Sequence, residues 1–160
     1  MPFTPFHFGP GLLLKGLAPR RISLTAFVAT QVVVDLEPLV RRVRGEYPLH
    51  GPVHTVWVAG AIGLVVGAAL QAVALRRPTA STAPMLRGDL TPGAALLGGL
   101  LGGLSHPLLD GLMHRDVRAL RPLAETTWVL APAGVTALHV GCVIAGVLGA
   151  LLLVVRRARA

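Results

Sequence analysis

The sequence predicts an all-α integral membrane protein with three clear transmembrane helices, preceded by either a helical hairpin or a fourth span. Only 14% of its residues are charged and 53% are hydrophobic, whereas a soluble domain of this length is usually about a quarter charged. Three apolar runs are long enough to cross about 30 Å of hydrocarbon, which takes about 20 helical residues. We therefore expect residues 1–160 to form a single helical membrane domain.

The positive charge of the chain is distributed in a way that indicates lipid partners. The chain has fifteen Lys and Arg residues but only seven Asp and Glu residues, which gives a net charge of +8. The arginines stand in short clusters beside apolar runs, and only 4% of the residues are aromatic side chains that could stack on bases. This pattern favours anionic lipid headgroups over nucleic acid as the partner. The single cysteine, Cys142, excludes an intramolecular disulfide.

The three predicted spans are Val56–Leu75, Gly93–Met113 and Gly134–Val155. Small residues recur in the second and third of them, as in GGLLGGL (98–104) and GVLGALL (146–152). Such spacing lets helix backbones approach each other closely in lipid. Between the first two spans, RRPTASTAPMLRGDLTP is rich in Pro, Ser and Thr, which predicts a loop.

The first fifty residues contain two apolar arms, Gly11–Leu17 and Ile22–Val34, each too short to span. The KGLAPRR segment between them contains a proline, which breaks a helix. Two arrangements fit this pattern. The arms form a hairpin that enters and returns, which brings His7 near Asp35, or the second arm continues towards Arg44 and spans alone. We favour the hairpin.

Four polar motifs lie at the ends of the apolar segments: TPFHFG (4–9), DLEP (35–38), HGPVHT (50–55) and SHPLLDGLMH (105–114). Charged groups in hydrocarbon cost several kcal/mol each unless they are paired. In the hairpin arrangement all four motifs lie at the same membrane level, so each can supply partners for the others. We expect them to form one shared site that binds a metal ion or handles protons.

The last motif places three polar side chains on one face of a helix. His106, Asp110 and His114 are spaced four apart, so they line a stripe about 12 Å long. Imidazole nitrogens and carboxylate oxygens together suit a divalent metal, with zinc as the first choice and manganese or iron as alternatives. No sequence motif of a zinc protease, a nucleotide-binding loop or a serine nucleophile is present.

Other polar residues have simpler interpretations. His139 is expected to be an interfacial residue, and Asp116 a solvated partner of Arg115 or Arg118. Asp35 and Glu37 have an alternative role in ion pairs with the arginines that follow them at 41 and 42.

The order of these motifs resembles a known family. An N-terminal H-x-G, an acidic D-x-E, a histidine pair before a span and S-H-x-x-x-D-x-x-x-H are typical of bacterial and archaeal membrane-bound metal-dependent hydrolases, which include the YdjM and YbcI inner-membrane proteins. The resemblance covers roughly residues 1–116. It implies a compact helical membrane protein with a divalent-metal site and hydrolytic activity.

The resemblance also implies a set of metal-binding residues. By position, they are His7, Asp35, His50, His54, His106, Asp110 and His114. We expect His54, His106 and Asp110 to be the core ligands, and His7, Asp35 and His114 to be further ligands or to support them. HGPVHT departs from the pattern of the relatives, which puts His50 in question. Glu37, where many relatives have a second Asp, is our candidate for the general base.

Three functions remain open at this stage. The leading hypothesis is a membrane-embedded hydrolase that acts on a lipid-borne or phosphoester substrate. The alternative is a non-enzymatic protein that binds or transports a divalent cation or protons. A third is a structural membrane subunit whose polar cluster only holds helices together.

The distribution of basic residues predicts an inner-membrane, multi-pass protein with its site on the extracytoplasmic side. The predicted cytoplasmic set has nine basic residues: Lys15, Arg20, Arg21, Arg76, Arg77, Arg87, Arg156, Arg157 and Arg159. The opposite side has six: Arg41, Arg42, Arg44, Arg115, Arg118 and Arg121.

Overall fold

The computed structural model describes residues 5–76 and 88–159, and within these ranges the chain is helical and has no strand. The α-helices are α1 (Phe8–Leu17), α2 (Leu24–Val34), α3 (Leu36–Val43), α4 (Val56–Arg76), α5 (Pro92–Met113) and α6 (Pro132–Ala158). Short 3-10 turns, Pro5–His7 and Pro52–His54, precede α1 and α4. Thr4 and most of the predicted loop, with Arg77 and Arg87, lie outside the described residues.

Helix α5 lies between α2 and α4 and packs against both through its glycines. A Cβ atom on Gly103 would lie 2.0 Å from the carbonyl oxygen of Ala59 on α4. On the opposite face, a Cβ on Gly98 would lie 2.2 Å from the carbonyl oxygen of Ser23, just before α2. These backbones are therefore as close as the small-residue runs of the sequence predict.

The two N-terminal arms form the predicted hairpin. Helices α1 and α2 are antiparallel, since His7 and Asp35, which flank the hairpin, both lie near His106. The second arm does not continue as one helix, because Asp35 forms a turn between α2 and α3. The hairpin contacts α6 through α1, where a Cβ on Gly149 would lie 2.3 Å from the carbonyl oxygen of Leu12.

One carboxylate fixes the turn of this hairpin at the end opposite to the cluster of histidines. Asp89 accepts hydrogen bonds from the Ser23 hydroxyl (2.9 Å) and from the backbone N–H of Thr25 (2.9 Å), at the start of α2. It also forms an ion pair with Lys15 of α1. The sequence alone did not indicate this role.

Two helices, Val56–Arg76 and Pro132–Ala158, are long and apolar enough to cross a membrane. The third predicted span forms α5 with nearly the predicted bounds, but it does not meet the same test of length and composition among the described residues. The reason is its content of glycine and of polar side chains, including His106 and Asp110, both of which are buried against neighbouring helices. Length and composition thus indicate two of the three predicted spans.

Candidate metal centre

All seven residues predicted to bind metal lie together at the C-terminal end of α5. His106 and Asp110 are on α5, and His114 follows its last residue. The other four come from the turn before α1, from the junction of α2 and α3, and from the segment before α4: His7, Asp35, His50 and His54. Residues more than a hundred positions apart thus form one cluster, as the motif pattern predicted.

The carboxylate of Asp110 is the centre of this cluster. Its two oxygens lie 3.3–3.9 Å from the Nε2 atoms of five histidines: His7, His50, His54, His106 and His114. These separations are longer than the usual 2.7–3.2 Å of a hydrogen bond. They suit two atoms that bind the same ion at about 2.1 Å each, which can lie up to about 4.2 Å apart.

Several nitrogens of the cluster are buried without a protein partner. Within residues 5–76 and 88–159, Nε2 of His54, Nε2 of His106 and both ring nitrogens of His7 accept or donate no hydrogen bond. Buried polar atoms of proteins are nearly always paired. A divalent cation would give these nitrogens a partner. The mixed nitrogen and oxygen donors suit zinc, manganese or iron.

Four of these residues form a closely spaced set. The ligand atoms of Asp35, His54, His106 and Asp110 all lie within 4.8 Å of one another, and all four residues are buried. Nε2 of His106 lies 3.3 Å from Oδ1 of Asp35 and 3.3 Å from Oδ2 of Asp110. This buried group could hold a metal ion.

Two of the histidines are oriented by an acceptor on the side away from Asp110. Nδ1 of His54 lies 3.1 Å from Oε2 of Glu37, and Nδ1 of His106 contacts the side-chain oxygen of Gln31. With the proton on Nδ1, each ring donates to its acceptor and turns the free Nε2 towards the centre. Metal-binding histidines in proteins are usually held in this way.

His50 has the same arrangement, with Asp116 as its acceptor. Nδ1 of His50 lies 2.9 Å from Oδ2 of Asp116, and that carboxylate also accepts the backbone N–H of Leu49 and of His50. Although burial alone would raise the pKa of Asp116, these hydrogen bonds hold it below its usual value. The expectation that Asp116 is a solvated partner of a neighbouring arginine is therefore wrong.

His7, His54 and His114, which lie outside the α-helices, have the protonation state that a metal requires. Burial lowers the pKa of His7 to about 4 and lowers the pKa of His54 and of His114. These rings are therefore neutral near pH 7, and a neutral imidazole has a lone pair for a metal.

Glu37, the predicted general base, lies on the outer side of His54. Its carboxylate accepts from the backbone N–H of Gly51 (3.0 Å) and lies 3.7 Å from the Arg41 guanidinium. Burial would raise the pKa of Glu37, but the bonds from His54 and Gly51 hold it below its usual value. The general-base role stays a prediction, and the contacts of Glu37 also make it the residue that orients His54.

A cavity of about 650 Å³ opens beside the cluster at His50. Both His50 and Asp116 contribute to its wall, together with Trp57 at the start of α4. Three arginines also line it: Arg41, Arg118 and Arg121. Sequence reasoning missed this cavity, because its arginines come from two segments that are far apart in the chain.

The remaining histidine, His139, packs against Phe6 with ring centroids 4.4 Å apart. Among the described residues, the other five histidines contact Asp110 and His139 does not. Its predicted interfacial role is untested, but its position makes it a matched control for the other five.

No family model, no curated protein and no solved structure matches this chain.

Proposed function

We propose that the protein is a membrane-embedded, metal-dependent hydrolase that acts on a lipid-borne phosphoester. One observation carries the proposal: His50 is both a member of the histidine cluster and part of the wall of the arginine-lined cavity. A substrate in this cavity would therefore lie next to the residues that could bind metal. The resemblance to the membrane-bound metal-dependent hydrolases supports the same proposal.

The residues of the cluster have separate tasks in this proposal. A bound divalent cation, zinc as the first choice, would polarise the scissile group and lower the pKa of a water molecule towards neutrality. His54, His106, Asp35 and Asp110 would hold the ion, since their ligand atoms already lie within 4.8 Å of one another. Gln31 and Glu37 keep two of these histidines in the orientation that metal binding needs.

The arginines of the cavity suit a phosphate group. Arg118 and Arg121 lie 3.5 Å and 3.0 Å from the carboxylate of Glu125, which is more than half exposed. An exposed ion pair contributes only about 0–1 kcal/mol, so a phosphate could replace Glu125 as their partner at little cost. Arginine binds phosphate through two parallel hydrogen bonds, which also fixes the orientation of the group.

The position of the cavity favours a lipid. Trp57, which lines it, is 53% exposed at the first turn of α4, and tryptophan is enriched at the membrane interface. The exposed side of α4 continues with apolar residues such as Leu64 and Val65. Acyl chains could lie along this face while the headgroup occupies the cavity.

We also propose an inner-membrane, multi-pass topology in which α5 crosses together with α4 and α6, and the N-terminal hairpin enters from the outer face. The excess of basic residues favours a C-terminus on the inner side and a cluster on the outer side. Alkaline phosphatase fused after Thr126 should be active and a fusion after Ala160 inactive. The reverse result would place the site on the cytoplasmic side.

Hydrolysis is tested with bis(p-nitrophenyl) phosphate, p-nitrophenyl phosphate and vesicles of anionic phospholipid, using protein purified in mild detergent and supplied with zinc. We expect turnover by the wild type and by His139→Ala, and none by His106→Ala. Metal binding without turnover of any of these compounds would instead favour the alternative, a protein that binds or transports cations.

A further inference from the structure

We infer that the centre holds two divalent cations bridged by the carboxylate of Asp110. This inference rests on the metal centre of the proposed function and adds its stoichiometry. Seven potential ligands converge at this place: two carboxylates and five histidines. A tetrahedral zinc ion takes four ligands, so one ion would leave several buried imidazole nitrogens without a partner.

The two oxygens of Asp110 divide the histidines into two groups. Oδ2 lies 3.3 Å from Nε2 of His106, 3.5 Å from Nε2 of His54 and 3.9 Å from Nε2 of His50. Oδ1 lies 3.4 Å from Nε2 of His7 and 3.9 Å from Nε2 of His114. One carboxylate therefore offers a separate oxygen to each of two sets of imidazoles, which is how a carboxylate bridges a pair of ions.

Each group is complete enough to bind an ion of its own. The first is the buried set of Asp35, His54, His106 and Asp110. In the second, ligand atoms of His50, His114 and Asp110 also lie within 4.8 Å of one another. The rings of His50 and His114 stack with centroids 4.8 Å apart, so His50 lies beside His114 although its Nε2 is 3.9 Å from Oδ2 of Asp110 and that of His114 is 3.9 Å from Oδ1. Nε2 of His7 lies close enough to Oδ1 to join them.

The two positions differ in their access to solvent. Every residue of the first set is buried, whereas the side chain of His114 is 30% exposed and His50 lines the cavity. Structural metal sites are typically closed, and catalytic sites keep an open position for water or substrate. The second ion would therefore be the more weakly held of the two and the one in contact with the substrate. Pairs of ions about 3.5–4 Å apart are common in enzymes that cleave phosphoesters.

The inference is tested by loading metal-depleted protein with Mn²⁺, measuring bound manganese per chain and recording electron paramagnetic resonance spectra. We expect two ions per chain in the wild type and in His139→Ala, with the broadened spectrum of a coupled pair. His114→Ala and His114→Gln should each bind one ion with the six-line spectrum of an isolated Mn²⁺. The first set of ligands remains intact in both variants, so an unchanged elution volume and helix content confirm that they are folded.

The outcomes separate this inference from the proposed function. One ion per chain in the wild type, or two ions without magnetic coupling, would refute the inference that Asp110 bridges two cations. Binding of no ion would contradict the metal centre itself. Two coupled ions in a protein that hydrolyses none of the phosphoesters would support the inference and refute the hydrolase proposal.

Discussion

Oδ2 of Asp116 lies 2.9 Å from Nδ1 of His50, although the two residues are 66 positions apart in the chain. The same oxygen accepts the backbone N–H of Leu49 and of His50. Asp116 thus ties the segment before α4 to the segment after α5, and it sets the direction in which Nε2 of His50 points. Asp116, which lies in a basic loop, therefore orients one histidine of the cluster.

The substitution Asp116→Ala is expected to weaken metal binding about 10- to 100-fold, the usual effect of losing an outer partner of a ligating histidine. Asp35→Ala should weaken it further, because it removes an oxygen 3.3 Å from Nε2 of His106. Glu125→Gln, which changes an exposed carboxylate, is the control. Titration of Zn²⁺ against a competing chelator measures all three, and equal effects of the Asp35 and Asp116 changes would refute the ranking.

The substitution Glu37→Gln separates two roles of this residue. Glutamine keeps a side-chain oxygen that can accept from Nδ1 of His54, so an orienting role predicts nearly full metal content and less than about a tenfold loss of turnover. A general base would instead lose about 10²- to 10⁴-fold with its metal retained. We expect the smaller loss. Measuring metal content and turnover on the same preparation decides between the roles.

The substitution Asp89→Asn is expected to lower the free energy of unfolding at pH 7 by about 1–3 kcal/mol, because hydrogen bonds to a charged group are weakened. Burial would raise the pKa of Asp89, but its bonds from Lys15, Thr25 and Ser23 hold it below the usual value. A carboxyl whose pKa is lower in the folded state stabilises the fold above its ordinary pKa and loses this contribution as the pH falls.

Thermal unfolding of wild type and Asp89→Asn in detergent should therefore differ at pH 7 and converge towards pH 3. A difference that stays constant down to this pH would contradict the assignment. Metal content of the folded variant should be unchanged, because Asp89 and the cluster lie at opposite ends of α5.

A methyl group on Gly103 is expected to destabilise the protein by about 1–3 kcal/mol, the usual cost of overpacking a close contact. The added Cβ would lie 2.0 Å from the Ala59 carbonyl oxygen, so α4 and α5 would have to separate. Gly93→Ala is the control on the same helix, since its Cβ meets nothing within 4 Å. Unfolding in detergent should rank the two variants, and equal stability would show that this helix contact is looser than described.

Periodicity and length predicted much of the fold. The runs that begin near Val56, Gly93 and Gly134 became helices whose bounds differ by at most three residues from those expected. The number of spans was harder to predict, because a helix such as α5 has apolar residues and glycines but also a buried His and Asp. Its environment depends on which helices surround it, and hydropathy along the chain contains no such information.

The cluster could be predicted as far as residue type and spacing reach. Asp110 and the five histidines belong to short motifs at the ends of apolar runs, and the fold brings these motifs together. The groups that orient the rings are different. Asp116 looked like a partner of its neighbouring arginines, and Gln31 is a polar residue on an apolar helix whose role was not assigned, although buried polar residues in membrane helices are usually functional. Their partners are set by tertiary packing.

The central claim, that this buried cluster binds metal, is tested most directly by the metal content of the purified protein. Wild type, His106→Ala and His139→Ala are prepared in the same mild detergent, dialysed against metal-free buffer after incubation with Zn²⁺, and analysed by mass spectrometry. We predict bound zinc in the wild type and in His139→Ala, and at least a tenfold loss in His106→Ala. Equal, near-zero metal in wild type and His106→Ala would contradict the account.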